Sequence, residues 1–313
     1  MVERISTRES LLCGARVLDG GMASELEHLG ADINGPLWSA HVLENAPEKI
    51  VAVHRAYIDA GAEIIETASY QVSRMGYAEV GLDLIRADAA LLRSVMLARL
   101  ATGFYPDRRT LIAASLGPYG AALHNGAEYH GNYNCTFADL VEFHRERIDV
   151  LATAPLAEAP DLLAFETLPS LAEAEAIKQA LAPHPELAAW FSFTCRDGQR
   201  VAHGELLRQC AGAVAFLPQT IAVGINCTHP SLISSLIEEL HAVSEKPIIV
   251  YPNSGEGWDA QHRCWTGTSD SREYGNEARE WSAAGAQIIG GCCRTRPAHI
   301  RHVAQAITRK AGR

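Results

Sequence analysis

The chain has 313 residues, of which 48% are hydrophobic and 20% are charged, and its formal net charge is −10 at pH 7. This balance is typical of a globular enzyme, and the negative charge argues against nucleic acid or an anionic membrane as a partner. No apolar run reaches the roughly 20 residues that a membrane-spanning helix needs, and the N-terminal sequence MVERISTRES lacks the apolar stretch of a signal peptide, so we expect no membrane partner and a cytoplasmic protein.

Short apolar runs, often rich in β-branched residues, alternate with helical patterns along the whole chain. In chain order, the predicted strands are 15–20, 63–69, 110–116, 161–167, 188–194, 220–227, 247–253 and 286–292. Their hydrophobicity is continuous rather than alternating, which indicates parallel strands that are covered on both faces.

The segments between the strands show helical periodicity and recognisable helix ends. Asn45 is predicted to cap a helix that contains Pro47 and stops at Gly61. Ser170 and Glu173 form a capping-box pattern at the start of a later helix. The other helical patterns lie near 83–101, 137–152, 204–216, 230–242, 271–284 and 297–309. Eight β–α units in succession predict an α/β fold, a single (β/α)8 TIM barrel, with an open doubly wound sheet as the alternative.

The active site of such a barrel lies where the strands end and the βα loops begin. The predicted strands end in polar and thiol side chains, which should therefore meet at one rim: Asp19, Glu66, Thr67, Ser115, Glu166, Thr167, Thr194, Cys195, Asn226, Cys227, Asn253, Ser254, Cys292 and Cys293. Three long loops at that rim, 20–44, 117–135 and 253–269, are predicted to be lids or substrate walls.

The most informative thiols are Cys227, in GINC, and the adjacent pair Cys292 and Cys293, in GGCC. They follow the sixth and eighth strands, which only one strand separates, so the three can meet at one point. Soft sulfur ligands in tetrahedral geometry favour Zn²⁺, and three ligands leave a fourth position open for catalysis. Gly290 and Gly291 are expected to let the backbone bend so that both cysteines face inward.

A cysteine elsewhere in the chain is usually a small buried hydrophobe or an ordinary, partly exposed thiol. This interpretation is preferred for Cys13, Cys135, Cys195, Cys210 and Cys264. The Cys292–Cys293 pair alone is also compatible with a vicinal disulfide or simple packing. The histidines show no HExxH spacing, and the chain has no GxGxxG, GxxxxGK[ST] or GxSxG motif. A nucleotide-cofactor oxidoreductase, a P-loop NTPase and an α/β-hydrolase therefore lose support.

Seven segments, in order over about residues 15–305, resemble the homocysteine S-methyltransferase family. They are LDGGMASELEHLG (18–30), ETASYQ (66–71), GAEYHGNY (126–133), AFETLPS (164–170), GINC (224–227), YPNSGE (251–256) and GGCCRT (290–295). The combination of GINC and GGCC is highly specific. One departure is TCRDGQRVAHGE after the fifth strand, where relatives commonly carry a small-residue motif and this chain has His203.

The resemblance implies one homocysteine-binding barrel domain over residues 1–313, with zinc held by Cys227, Cys292 and Cys293 and homocysteine thiolate as fourth ligand. It further implies that Asp19 and Glu166 hold the amino acid, that Thr67 lines its pocket and that Trp38 lines the donor side. Asn226 and Asn253 are expected to orient backbone or the substrate carboxylate, and Ser254 lies where barrels often bind anions. Glu66 either does similar work or supports the barrel, and Trp38, Tyr129 and Tyr133 either wall a cation or pack as a lid.

The expected reaction is methyl transfer from S-methylmethionine, or S-adenosylmethionine as a second donor, to L-homocysteine, forming methionine. A selenol is a further possible acceptor, since selenium suits the same soft site. Two rivals from other classes are a zinc hydrolase and a non-enzymatic zinc-thiolate or redox-sensing protein. Three thiolates count against the hydrolase, whose ligands are usually His and carboxylate. The sequence leaves the choice between a monomer and a small homo-oligomer open.

Overall fold

A computed structural model of the chain describes residues 16–33, 39–259, 264–267 and 269–308. Eight parallel strands form one sheet in the order β1-β8-β7-β6-β5-β4-β3-β2. They are β1 (Arg16–Val17), β2 (Ile64–Glu66), β3 (Leu111–Leu116), β4 (Leu162–Leu168), β5 (Ala189–Phe193), β6 (Thr220–Asn226), β7 (Ile248–Tyr251) and β8 (Ala286–Ile289). A parallel bridge between Leu18 and Ile64 joins the two edges, so the sheet closes. This confirms the (β/α)8 barrel and rules out the open sheet.

Helices follow the strands around the outside. They are α1 (Met22–His28), α2 (Ser39–Asn45), α3 (Pro47–Ala60), α4 (Arg74–Glu79), α5 (Leu84–Thr102), α6 (Tyr119–Ala122), α7 (Phe137–Ala152), α8 (Leu171–Leu181), α9 (Leu207–Ala215), α10 (Ile233–His241), α11 (Ser271–Ala284) and α12 (Pro297–Thr308). Short 3-10 turns span Ala127–Tyr129 and Pro230–Leu232. The helices predicted at 137–152 and 271–284 are therefore confirmed to the residue.

Two predicted helix starts differ in detail from those observed. The cap of α3 is Ala46, and the prediction of Asn45 was wrong because Asn45 ends α2, where its amide donates to the His41 carbonyl oxygen at 2.9 Å. The stop at Gly61, in the left-handed conformation, is confirmed. At α8 the Ser170 hydroxyl accepts from the Glu173 N–H, but the Glu173 carboxylate contacts Tyr119 N and His144 instead of returning to Ser170.

The core has two layers. Strands β2 to β8, together with Leu18 directly after β1, contribute to an inner cluster that fills the barrel, with Trp190 and Tyr251 as its largest members. A second, larger cluster lies between the strands and the surrounding helices. Because the strands are buried on both faces, their side chains stay fixed, and only the ends of the barrel remain for chemistry.

The three long loops are more structured than the sequence predicted. The first contains α1 and α2, the second contains α6 and the 3-10 turn, and the third contains an antiparallel hairpin of Gly257–Asp259 and Cys264–Thr266. Across the described part of the chain, no helix has the length and apolar character needed to cross a membrane.

Candidate active site

Three thiols meet at the carboxyl-terminal rim of the barrel. The sulfur atoms of Cys227, Cys292 and Cys293 all lie within 4.8 Å of one another, and Cys227 Sγ is 3.5 Å from Cys293 Sγ. Cys227 directly follows β6 and the other two follow β8, so residues 65 positions apart converge as the topology predicts. Cys227 adopts φ 49°, a conformation that costs about 1–3 kcal/mol for a residue other than glycine and that is concentrated at functional sites.

The strand between them, β7, holds both thiol loops in place. Just beyond β7, Asn253 N–H donates to Thr228 O at 3.0 Å, next to Cys227. On the other side, Cys292 N–H donates to Pro252 O at 2.8 Å and Ser254 N–H donates to Cys293 O at 3.0 Å. Backbone hydrogen bonds therefore fix the relative position of the three cysteines before any ligand binds.

The thiol cluster favours one negative charge. Hydrogen bonds from Cys227 and Cys292 lower the pKa of the Cys293 thiol well below its usual value. The hydrogen bonds that Cys292 makes to the other two sulfur atoms, together with burial, raise the pKa of Cys292 well above its usual value. Ionising all three thiols in this buried place requires a cation among them.

The two glycines before the thiol pair are needed for close approach rather than for a bend, which corrects the expectation from the sequence. Neither Gly290 nor Gly291 is left-handed. A Cβ on Gly290 would lie 2.6 Å from the carbonyl oxygen of Asp19, and one on Gly291 would lie 2.4 Å from Thr295 Oγ1. The loop that carries the thiols therefore packs directly against the end of β1.

Replacing Gly290 by alanine is expected to lower the free energy of unfolding by about 1–3 kcal/mol, because the added methyl group overlaps backbone that cannot move freely. A matched control is Gly212→Ala in α9, where a Cβ meets nothing within 4 Å and helix propensity predicts a gain of up to about 1 kcal/mol. Urea unfolding of both variants tests the contrast. Equal stability of the two variants would contradict the close-packing explanation.

Beside the thiols lies a cluster of three carboxyl groups, Asp19, Glu66 and Glu166, at the ends of β1, β2 and β4. Asp19 Oδ2 accepts from Glu66 N–H at 2.9 Å, and Glu166 Oε1 accepts from the Ser115 hydroxyl. Among the described residues, Asp19 Oδ1 and Glu66 Oε1 are buried without a hydrogen-bond partner. Sequence reasoning brought Asp19 and Glu166 together correctly and left the role of Glu66 open.

Burial and mutual repulsion make these carboxyl groups weak acids. Burial raises the pKa of Glu166 to about 7, although hydrogen bonds from Ser115 and from Glu66 act in the opposite direction. Burial, and then the negative charges of Glu166 and Asp19, raise the pKa of Glu66 well above its usual value. The pKa of Asp19 is raised well above its usual value, mainly by burial. Such a cluster attracts a cation, and an ammonium group fits its unsatisfied oxygen atoms.

Two of the predicted rim residues direct their polar groups into the protein. The Asn226 amide accepts from Thr167 N–H at 2.7 Å and donates to Thr167 Oγ1 at 2.8 Å, and it also accepts from the Ser192 hydroxyl. This fixes Thr167, which adopts φ 58° directly after Glu166. The Thr67 hydroxyl accepts from Ser115 N–H at 3.1 Å and lies 2.6 Å from Ser69 Oγ. Asn226 and Thr67 therefore support the carboxyl cluster through Thr167 and Ser115.

The remaining residues named in the sequence analysis are Asn253, Ser254, Trp38 and His203. Among the described side chains, Asn253 Oδ1 is buried and finds no partner, whereas the Ser254 hydroxyl donates to Glu256 Oε2 at 3.2 Å. Trp38, predicted to line the donor side, lies outside the described residues. His203 pairs with Glu205 at 3.0 Å, and its side chain packs near Gly131 of the 117–135 loop.

The long loop after β3 supplies groups that sequence reasoning valued too little. The Tyr129 hydroxyl lies 3.3 Å from Cys227 Sγ. Glu128, its neighbour, was not singled out at all, although burial, with a smaller contribution from the charge of Cys293, raises its pKa to about 7. Tyr70, which lies in the loop after β2, was missed too, and its pKa is raised by burial and by the charges of Glu128 and Cys227. The available signal was the Glu-Tyr pair within GAEYHGNY, a loop that is otherwise small and polar.

Comparison with known proteins gives a consistent result. The model of the family described as homocysteine S-methyltransferase matches residues 16–307. "Homocysteine S-methyltransferase YbgG" of Bacillus subtilis is 45% identical over 296 residues, covering 92% of this chain and 93% of the relative. "Homocysteine S-methyltransferase" of Escherichia coli is 43% identical over 290 residues, covering 91% and 92%.

Solved structures of the homocysteine methyltransferase MmuM from Escherichia coli are similar over nearly their full length. Its oxidized form superposes with a TM-score of 0.83 at 40% identity and covers 93% of this chain and 95% of that one. Its metallated form superposes with a TM-score of 0.81 at 41% identity and covers 93% and 96%.

Proposed function

Because this chain belongs to the homocysteine S-methyltransferase family and is a methyltransferase of homocysteine, we propose that it works as one domain, takes the methyl group from S-methylmethionine and depends on a zinc ion. The observation that carries the proposal is the meeting of three thiols within 4.8 Å beside a cluster of buried carboxyl groups. The thiols suit a soft metal and the carboxyl groups suit an ammonium, and homocysteine carries a thiol at one end and an ammonium at the other.

The donor set fits zinc. At a Zn–S distance near 2.3 Å, tetrahedral sulfur ligands lie roughly 3.8 Å apart, and the Cys227–Cys293 separation of 3.5 Å is close to that value. Cys227, Cys292 and Cys293 would hold the ion and leave one position open. When bound, zinc would take the homocysteine sulfur at that position and keep it a thiolate at neutral pH.

The carboxyl cluster would bind the ammonium group of homocysteine. Asp19 and Glu66 each have a buried oxygen that receives no hydrogen bond from the described residues, and an ammonium has three N–H groups to donate. Glu166, held by Ser115 and by the Thr167 turn that Asn226 fixes, supplies the third acceptor. A cation bound here also relieves the repulsion between the carboxylates, so binding is coupled to their ionisation.

The other predicted residues take supporting roles in this proposal. Asn253, with its buried Oδ1 next to the thiol loops, would accept a hydrogen bond from a substrate. Ser254 positions the Cys293 loop through its backbone N–H, and Thr67 supports the carboxyl cluster. Trp38 would line the donor side, as the family resemblance implies.

The reaction requires no general acid. The homocysteine sulfur attacks one methyl group of the sulfonium, a new S–CH₃ bond forms, and the old C–S bond breaks with its electron pair going to the donor sulfur. S-Methylmethionine and homocysteine thus give two methionine molecules, and the thiol proton is released to solvent. The leaving group is neutral, so the work left to the protein is to hold both sulfur atoms in line and to exclude water. S-Adenosylmethionine, also a sulfonium, is the second donor.

A mass-labelled reaction tests the proposal. L-Homocysteine with a deuterated carbon chain, incubated with unlabelled S-methylmethionine and zinc-loaded protein, should give labelled and unlabelled methionine in equal amounts. A donor panel should rank S-methylmethionine above S-adenosylmethionine, and both above the ammonium donor betaine. Absence of labelled methionine with every donor would favour a zinc-binding or redox-sensing role instead.

Isothermal titration separates the transferase from a hydrolase. Homocysteine should bind the zinc-loaded protein. It should bind far more weakly after a chelator removes the zinc, because its sulfur then has no metal ion to bind. An affinity that does not depend on zinc would contradict the proposed use of the metal.

A further inference from the structure

Glu128 lies within the short 3-10 turn Ala127–Tyr129, in the loop that follows β3. Gly126, left-handed at φ 80°, precedes the turn, and a Cβ on Gly120 would lie 2.5 Å from Glu128 N, so the turn packs directly against the start of the loop. The next residue, Tyr129, reaches to 3.3 Å from Cys227 Sγ. Glu128 is therefore held in a fixed turn, and the hydroxyl of its neighbour Tyr129 contacts the thiol cluster.

One oxygen atom of the Glu128 carboxylate has no partner among the described residues. Its Oε2 atom is buried and accepts no hydrogen bond from any residue in the described segments. Burial, opposed by a hydrogen bond from the residue's own backbone N–H and assisted by the charge of Cys293, raises its pKa to about 7. An unpaired buried carboxylate oxygen is costly and is rarely kept in a protein without a partner. The proposed role of the cysteines does not use this oxygen, and none of the described residues satisfies it, so a substrate group can serve as its partner.

The surroundings of Glu128 favour a cation. Its charge contributes to raising the pKa of Tyr70 and the pKa of Tyr133, although burial is the largest cause for both. The third phenol, Tyr129, is the next residue in the same turn. Three phenol rings and one carboxylate thus share a corner of the rim, and aromatic faces together with a carboxylate are the groups that bind organic cations. This corner is formed by the loop after β3 together with Tyr70 from the loop after β2, whereas the carboxyl cluster belongs to the ends of β1, β2 and β4.

The proposed reaction brings two amino acids to the rim, and each carries an α-ammonium group. The carboxyl cluster accounts for the ammonium of homocysteine and leaves that of the donor without a partner. We propose that Glu128 binds the α-ammonium group of the methyl donor and so selects amino-acid sulfonium donors over sulfonium compounds that lack this group. This inference rests on the proposed function, since it assigns the second substrate of the same site.

The donor carries a second cationic group, the sulfonium, but the ammonium is the better partner for Glu128. The sulfonium loses its charge as the methyl group leaves, so a carboxylate beside it would stabilise the ground state more than the transition state and slow the reaction. The ammonium keeps its charge throughout. A carboxylate bound to it stabilises both states equally, which lowers KM for the donor without lowering kcat.

The test compares two donors and two proteins. The donors are S-methyl-L-methionine and (3-carboxypropyl)dimethylsulfonium, which is the same molecule without its amino group. Glu128→Gln keeps the shape of the side chain and removes its charge. We expect a roughly 10- to 100-fold higher KM for S-methylmethionine in this variant, with kcat and the KM for homocysteine little changed. With the deaminated donor, the wild-type protein and the variant should have the same kcat/KM.

The control variant is Glu142→Gln, which neutralises a half-exposed carboxylate on α7 and should leave both donors unaffected. Equal losses of Glu128→Gln with the two donors, or a raised KM for homocysteine, would overturn the inference. Should Glu128→Gln fail to fold, the wild-type protein still decides, because an equal KM for the two donors would show that the ammonium group is not recognised. Failure of the wild-type protein to use S-methylmethionine would instead refute the proposed function.

Discussion

Replacement of Cys227 or Cys293 by alanine is expected to abolish both metal binding and methyl transfer. Each change removes one of three soft ligands and leaves two sulfur atoms, which cannot hold a catalytic zinc against competing water and chelators. The free homocysteine thiol has a pKa of about 8.5 and is mostly protonated at neutral pH. Without the ion, the acceptor is therefore in its unreactive form, and we expect turnover to fall by at least about 10³-fold.

The measurements are bound zinc per chain, by metal analysis, and the rate of methionine formation from the same samples. Cys210→Ala is the control, because Cys210 is a buried free thiol that lies on α9 and outside the rim. It should keep its zinc and its turnover while losing a little stability. Circular dichroism of each variant would check that the barrel is intact. Full turnover in Cys227→Ala or Cys293→Ala would contradict the assignment of the thiols.

The barrel was predictable from sequence because its signals are local. Each strand is a continuous apolar run, and the position at which a run ends fixes which side chain reaches the rim. The convergence of Cys227 with the Cys292–Cys293 pair follows from strand order alone. Strand ends also put Asp19 and Glu166 at the same rim, whereas their shared role was implied by the family resemblance. These residues lie on the regular part of the fold, so knowledge of the strand ends was sufficient.

Features that depend on loop packing were not predictable in the same way. Asn45 is a good capping residue, but whether it ends one helix or begins the next depends on a turn that its sequence does not specify. Gly290 was expected to bend the chain, whereas its actual constraint is the closeness of Asp19 O, a contact between residues about 270 positions apart. Glu128 went unnoticed because burial of its carboxylate depends on tertiary packing of the loop after β3.

Glu166→Gln is expected to raise the KM for homocysteine by roughly 10- to 100-fold at about pH 8, because one charged acceptor of the substrate ammonium is lost. The wild-type affinity should also depend on pH. Burial raises the pKa of Glu166 to about 7, so below that pH the group is neutral and attracts the ammonium only weakly. L-Norleucine, which carries the ammonium but no thiol, reports this effect without interference from thiol ionisation. Its inhibition constant should fall as pH rises through about 7 in the wild-type protein and change much less in Glu166→Gln.

The same pKa shift predicts an effect on stability in the absence of substrate. The pKa of Glu166 is higher in the folded protein, at about 7, than the ordinary value of 4.5 expected after unfolding. Its contribution to stability is therefore complete below about pH 4.5 and is lost as pH rises through about 7. Glutamine resembles the neutral acid at every pH, so Glu166→Gln should gain on the wild-type protein as pH rises from 5 to 8, by up to about 3 kcal/mol. Urea unfolding of the two proteins across this range measures the difference, and a gap that stays constant with pH would show that Glu166 is already ionised in the substrate-free barrel. Homocysteine should narrow the gap, because its ammonium stabilises the charged carboxylate that only the wild-type protein can form.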